Sequence, residues 1–506
     1  MKLYSFSSII LQACLWVCFS VSARAQAIHP RVGAETQSAD GQIKVRLVGK
    51  HQQFSAKDTG YDKDIYSPKS VNIHPNGKKY YVNSLEGGAT VVYDMATHEK
   101  LAVVSHRFNG SEKHLWAPES GFYKFTHYQP SNAFMGKPVE SCFSHGGRYL
   151  WVPYYRRSFD INAQDPSAIA VIDTQADSII RLFETGPLPK MIRTSHDGKT
   201  IAVSHWGNNT VGLLDISSDN PVDWHHRSML VVDYILPLNF SLTVPVDRDN
   251  GSGYALRGTV FTPDDRYLLV GCMGGSGGIA VIDLEKGEYL GRMTGMMTNM
   301  RHLVINGDYL YLSINGAGCI QRISLESFLK AVGQMREAGK KTGKVDGWET
   351  CSVGKGARTM ELSPSGNYAF VACNVASRIY VVDTRLMKEI CRVEVDSYPV
   401  GLDISDDGSM VIVTSQSRSN AGGGNAVNIF EVEYATPETA PRQDVEEATA
   451  DSPQQDEATA ILPAGSASPQ DGEGMGGSGM MPYVYGGVAL LLLSCGAFFL
   501  AHRHKA

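Results

Sequence analysis

Apolar residues along this chain come in short strand-length runs, each closed by a turn rich in Gly, Asn, Asp or Pro. From residue 68 onward these runs recur as one phrase: an apolar strand, a turn, a second apolar strand, then a V-x-x-D strand. The clearest copies are residues 68–94 (PKSVNIHPNGKKYYVNSLEGGATVVYD), 257–283 (RGTVFTPDDRYLLVGCMGGSGGIAVID) and 358–383 (RTMELSPSGNYAFVACNVASRIYVVD). Seven copies begin near Pro68, Pro138, Pro189, Arg257, Arg301, Arg358 and Pro399. Each copy supplies three or four strands and cannot bury both faces of its sheet alone. Radial packing about an axis solves that problem and predicts an all-β, seven-bladed β-propeller.

The last copy ends near Val432, one strand short, while residues 42–49 (QIKVRLVG) alternate as a strand does. The economical expectation is that this N-terminal strand completes the last blade and closes the ring, removing both open sheet edges. The fifth copy departs twice. Its first turn shortens to Ile305-Asn-Gly-Asp-Tyr, and residues 325–347 are inserted before its last strand, opening as a short amphipathic helix.

The ends of the chain set the compartment. Residues 1–25 read as a secretory signal peptide: a basic start, an apolar stretch and a small-x-small site at Ala23-Arg-Ala. Residues 26–434 are the propeller. Residues 435–480 form a Pro-, Ser- and Gly-rich linker with nine acidic residues and one Arg, too poor in apolar groups to fold. Residues 481–501 are apolar for the length of a transmembrane helix, and 502–506 form a basic stub expected in the cytoplasm. The linker alone carries −8 against −6 for the chain, so the body is near neutral. The expected protein is exported to a bacterial cell envelope, tethered by its C-terminal helix with the propeller outside the cytoplasm. The Gly-rich residues 472–479 before the span leave open a processed sorting signal instead of a retained anchor. Six cysteines fall in the body, with no C-x-x-C and no C-x-x-C-H, so neither a zinc ribbon nor attached haem is indicated. Cys319 and Cys351 fall on expected neighbouring strands and are a candidate disulfide.

The pattern resembles the YVTN-type seven-bladed propellers, also called surface-layer or lactonase-like. The matching residues are Tyr80 to Asn83 (YYVN) with Val91 to Asp94 (VVYD), Ile169 to Asp173 (IAVID), Val211 to Asp215 (VGLLD), Ile279 to Asp283 (IAVID) and Ile379 to Asp383 (IYVVD). The resemblance covers about residues 42–433. It implies the fold and leaves the function open among binding proteins, lactone hydrolases and redox-enzyme domains.

In such a ring the loops entering the innermost strand and the loops joining the second and third strands share one face. Most long insertions fall there: 107–137, about 237–255, 154–168 and 415–426. The first holds Trp116 among many aromatics, and reads either as a packed lid or as a recognition surface. Where the chain enters the innermost strand, five copies carry a cation: Lys69, Lys190, Arg257, Arg301 and Arg358. The other two carry Val139 and Val400. Cations converging on a channel mouth favour an anion, and structural pairing with acidic neighbours is the alternative. His205 and Trp206 sit at a strand end on the same face and complete the candidate ligand-binding set.

The reading favoured is a binding or scaffold module for a protein, peptide or anionic glycan of the cell envelope. The alternative is a lactonase-like hydrolase or lyase using His205, Glu140 or His302 as base beside the cations. No cofactor, metal site or nucleic-acid partner is expected. Residues 247–253 lack calcium-loop spacing, no third ligand joins His205 or the pair His225 and His226, and catalytic and nucleic-acid motifs are absent.

Overall fold

Seven sheets radiate from a common axis, one for each repeat, in a computed structural model that describes residues 27–123, 133–160, 165–236, 251–416 and 424–438. Blade 1 shows the plan. Strands A to D are Pro68–Ile73, Lys79–Ser84, Ala89–Asp94 and Lys100–Ser105, all antiparallel neighbours from axis to rim. The all-β propeller expected from the repeats is what forms.

Strands B and C lie between two neighbouring blades and are buried on both faces. Tyr368–Cys373 of blade 6, for example, has no residue open to solvent. That is why the repeat carries near-continuous apolar runs instead of strict alternation. The core is accordingly a series of clusters between blades. Trp151, Ile169 and Phe183 of blade 2 meet Ile192, Ile201, Leu214 and Trp224 of blade 3 in one such cluster.

Closure follows the expected route. Ile43–Gln52 pairs antiparallel with Ala426–Tyr434 and becomes the fourth strand of blade 7, with Glu35–Gln37 added outside it as a fifth. Ile43, Val45 and Leu47 are fully buried against blade 6. The buried Asp396 fastens the strand, bound by Lys50 Nζ at 2.8 Å and His29 Nδ1 at 2.6 Å. Packing continues past the expected boundary at 434: Glu438 is buried and accepts from Ser365 of blade 6.

The fifth blade keeps both of its departures. A two-residue hairpin joins Met300–Asn306 to Tyr309–Ile314, with Gly307 at φ 52° where a side chain would be strained. The insertion forms helix α1, Leu325–Glu337, capped by Ser324 and burying Leu325, Phe328, Val332 and Met335. The chain then adds Thr342–Lys344 in parallel to the outer strand of blade 4. The insertion thus leaves from the face opposite strand A entry and splints two blades along the outer edge.

The candidate disulfide is not formed. Cys319 pairs with Ser352 and Cys351 with Ile320, so alternation sends the two thiols to opposite faces of the sheet and into different core clusters. Every cysteine of the body is a buried free thiol. The signal peptide, nearly all of the linker, the candidate transmembrane helix at 481–501 and the stub lie outside the described residues. Among those described, no helix is long and apolar enough to cross a membrane.

Candidate anion site at the channel mouth

The residue before strand A is left-handed in six of the seven blades. Ser67, Leu188, Ala255, Asn299, Gly356 and Tyr398 have φ between 48° and 84°. A non-glycine residue adopts this backbone only at a cost, so its recurrence marks a shape that the ring imposes. The kink turns the arriving chain inward. Two positions after each such residue stand Lys69, Lys190, Arg257, Arg301, Arg358 and Val400. Blade 2 lacks the kink and carries Val139.

The five cations are not scattered around the rim. Lys69 is 2 % exposed and its Nζ lies 2.5 Å from Glu140, the residue after Val139. Arg257 is 3 % exposed and donates from Nε to the Arg301 carbonyl at 2.9 Å. Arg301 donates to Asn299 at 3.1 Å, and Arg358 is buried. Lys190 sets its ammonium 3.9 Å above the Tyr155 ring and 5.0 Å from that of Trp206.

Electrostatics ties the group together across the channel. Burial pushes the Lys69 ammonium down to about 8; Glu140 opposes this while Arg358 and Arg257 add to it. Arg257 is pushed well down by burial, then by Arg358 and Arg301. Burial works against the Glu140 carboxylate, yet Lys69 and Arg257 outweigh it and hold it below the usual range. Lys69 and Arg257 thus act on Glu140 directly, while Arg358 and Arg301 crowd those two cations in turn.

Three residues further along strand A lies a second layer, with Asn72, Arg193, Glu361 and Asp403 facing a narrow cavity of about 30 Å³. Ser70, Ser141, Arg257, Arg301, His302 and Thr359 also line it. Arg193 Nη2 donates to His302 Nε2 at 3.0 Å, while His302 Nδ1 donates to the Met360 carbonyl at 2.8 Å. That pattern fixes His302 as the neutral ring, and burial and Arg193 hold its pKa down to about 3. Burial pushes Glu361 up to about 8 and Asp403 up to about 7. The exposure that Glu361 retains, 26 % of its side chain, faces the channel.

Of the other candidates, Trp206 reaches the mouth but is 3 % exposed, packed with Leu188, Ala255 and Tyr155 as a cover beside Lys190. His205 is not there. It is fully buried between blades, its Nε2 bound to Thr185 Oγ1 and Nδ1 to Thr210 Oγ1, both at 2.8 Å, and burial drives its pKa down to about 3. Trp116 is also elsewhere. Its segment crosses to the outer strand of blade 2, where it bridges Leu182 and packs near Phe134. The aromatic loop is in this part a packed cover: Phe108, Tyr123 and Phe134 are buried. Its Phe125, His127 and Tyr128 lie outside the described residues. Among the described residues no group of three His, Cys, Asp or Glu could hold a metal.

Sequence reasoning missed Arg193, Glu361 and Asp403. Their register in strand A is occupied by Asn72, Val260 and Val304 in other blades, so no repeated residue type signals it.

No family model matches this chain, and no curated protein matches it. Among solved structures it is similar to Kuenenia stuttgartiensis hydrazine synthase, at 15 % identity and a TM-score of 0.50, over 76 % of this chain and 99 % of that one. A likeness at that identity speaks to the propeller fold alone.

Proposed function

We propose that the protein is a binding module, a YVTN-type propeller that docks an anionic group of an envelope protein, peptide or glycan at its channel mouth. The observation that carries this reading is the crowding of Lys69, Arg257, Arg301 and Arg358 against one another, with Glu140 paired to Lys69. Each cation raises the cost of its neighbours, and an incoming carboxylate or sulfate relieves that cost in a low-dielectric setting. Tyr155 and Trp206 beside Lys190 add aromatic surface at the rim. The signal-like N-terminal segment and the apolar C-terminal run of the sequence support an exported, membrane-tethered protein.

The hydrolase reading has less support. It needs a base beside the cations in a space that admits substrate. His205 lies elsewhere, Glu140 is ion-paired and His302 is held by Arg193 and Met360, beside a cavity of about 30 Å³.

The test is retention of the purified propeller on immobilised sulfated and carboxylated polysaccharides and acidic peptides, across a salt gradient. Retention that falls with salt is expected. The K190Q/R301Q variant, which alters the two half-buried cations, should bind about tenfold more weakly, about 1.4 kcal/mol, with its melting temperature little changed. No retention on any anionic surface, or equal retention of the variant, would remove the proposal.

A further inference from the structure

We propose that the channel holds a second site, below the mouth, for one small inorganic anion of halide size, enclosed by Arg193, Arg257, Arg301 and His302. The cavity is built for a small occupant. Its volume of about 30 Å³ suits about two water-sized spheres at most, so a sugar, peptide or nucleotide cannot enter. Its lining is mostly polar and draws on all seven blades, with Asn72, Arg193, Glu361 and Asp403 in the lower register and Arg257 and Arg301 above them.

Three guanidinium and three carboxyl groups line it, so the lining turns positive, and favours an anion, when Glu361 and Asp403 carry protons. Of the three carboxyl groups, Glu140 is engaged by Lys69 at 2.5 Å. Asp403 accepts from the backbone N–H of Ile73 at 2.6 Å and of Ile404 at 3.0 Å. Glu361 stands 4.0 Å from Arg193 and 3.9 Å from His302, beyond a hydrogen bond to either. Ser70, Ser141 and Thr359 supply hydroxyl groups to the same space. Bare halides bind well to such a mix of guanidinium and hydroxyl donors in a confined, low-dielectric site.

Occupancy is linked to protons. Glu361 faces Arg193, His302, Asp403 and Glu140 across the channel, and Asp403 faces Arg193 and Asp406. With both carboxyl groups protonated the lining is positive. Ionisation of either places negative charge against the anion. Binding therefore tightens as pH falls through about 8 to 7.

The experiment is anomalous diffraction from crystals of the intact propeller soaked in sodium bromide at pH 6, alongside thermal melts in bromide, chloride or gluconate at fixed ionic strength. The expected result is a bromide peak between Arg193 and Arg257, with a halide-specific rise in melting temperature that is larger at pH 6 than at pH 8.5. Arg193→Gln should weaken that halide response at least tenfold, while polyanion retention at the mouth persists, so failure here is separable from failure of the docking proposal. Water alone in the cavity of the unaltered protein, or a halide response equal at both pH values, would overturn the proposal even if the variant failed to fold.

Discussion

At the level of single residues, the contact between Lys69 and Glu140 decides how the mouth is tolerated. Both side chains are nearly buried, and Lys69 and Arg257 hold Glu140 ionised. Breaking a buried pair by removing one partner leaves an uncompensated charge, which costs about 3 kcal/mol or more. Glu140→Gln should therefore lower stability by about that amount, read as the urea midpoint. Adding Lys69→Met should restore part of it, since the stranded charge is then gone. Equal stability of E140Q and the unaltered protein would show that the pair does not balance the cluster. The cations were legible in the sequence because they repeat at one register. Glu140 as their partner was not, because it arrives from the copy that breaks the pattern with Val139. The left-handed residues ahead of strand A were equally hidden: Ser, Leu, Ala, Asn, Gly and Tyr share no side-chain chemistry, only a backbone shape.

At the level of elements, the strand Ile43–Gln52 carries the closure. Its partner Ala426–Tyr434 belongs to the far end of the chain, so this pairing joins the first and last segments of the ring. Val427, Ile429 and Phe430 are fully buried beneath it or beside it. Removing the chain through Gln52 would expose that strand as a long apolar edge, the kind that pairs with other copies. Such a truncation should run as aggregates or higher oligomers by size-exclusion chromatography with light scattering. Truncation through Gln37 removes only the outermost strand and should remain in the unaltered oligomeric state. The closing strand was readable because its alternation matched a vacancy in the last repeat, and helix α1 because its apolar spacing broke the strand rhythm. The parallel strand Thr342–Lys344 was not, since three residues carry no periodicity and the pairing lies on another blade.

For the whole molecule, seven sheets meeting at an axis bury many ionisable groups, and the protons they exclude or retain set its pH dependence. His51 and His226 are lowered to about 4, and His106, His205 and His302 to about 3, in each case first by burial. An unfolded His titrates near 6.5. As pH falls below that value, the unfolded chain takes up protons that the folded ring refuses, so stability is lost between about 6.5 and 3. Glu361 and Asp403 act in the opposite sense. Folded, they keep protons up to about 8 and about 7, whereas unfolded they ionise near 4. Their contribution is present at low pH and lost as pH rises toward 8. Five rings outweigh two carboxyl groups in the window where both operate, and between about 6.5 and 8 the carboxyl groups prevail, until Lys69, held down to about 8, begins to lose its proton in the folded ring and offsets them. Stability should therefore rise from pH 4.5, peak near 6.5 and decline gently toward 8, measured by calorimetry at constant ionic strength without halide. Glu361→Gln, which holds a neutral group at that position, should flatten the alkaline decline and leave the acid limb in place. A profile that climbs steadily through pH 8 would mean that the channel carboxyl groups are ionised in the folded ring, and that the positive lining of the cavity does not exist.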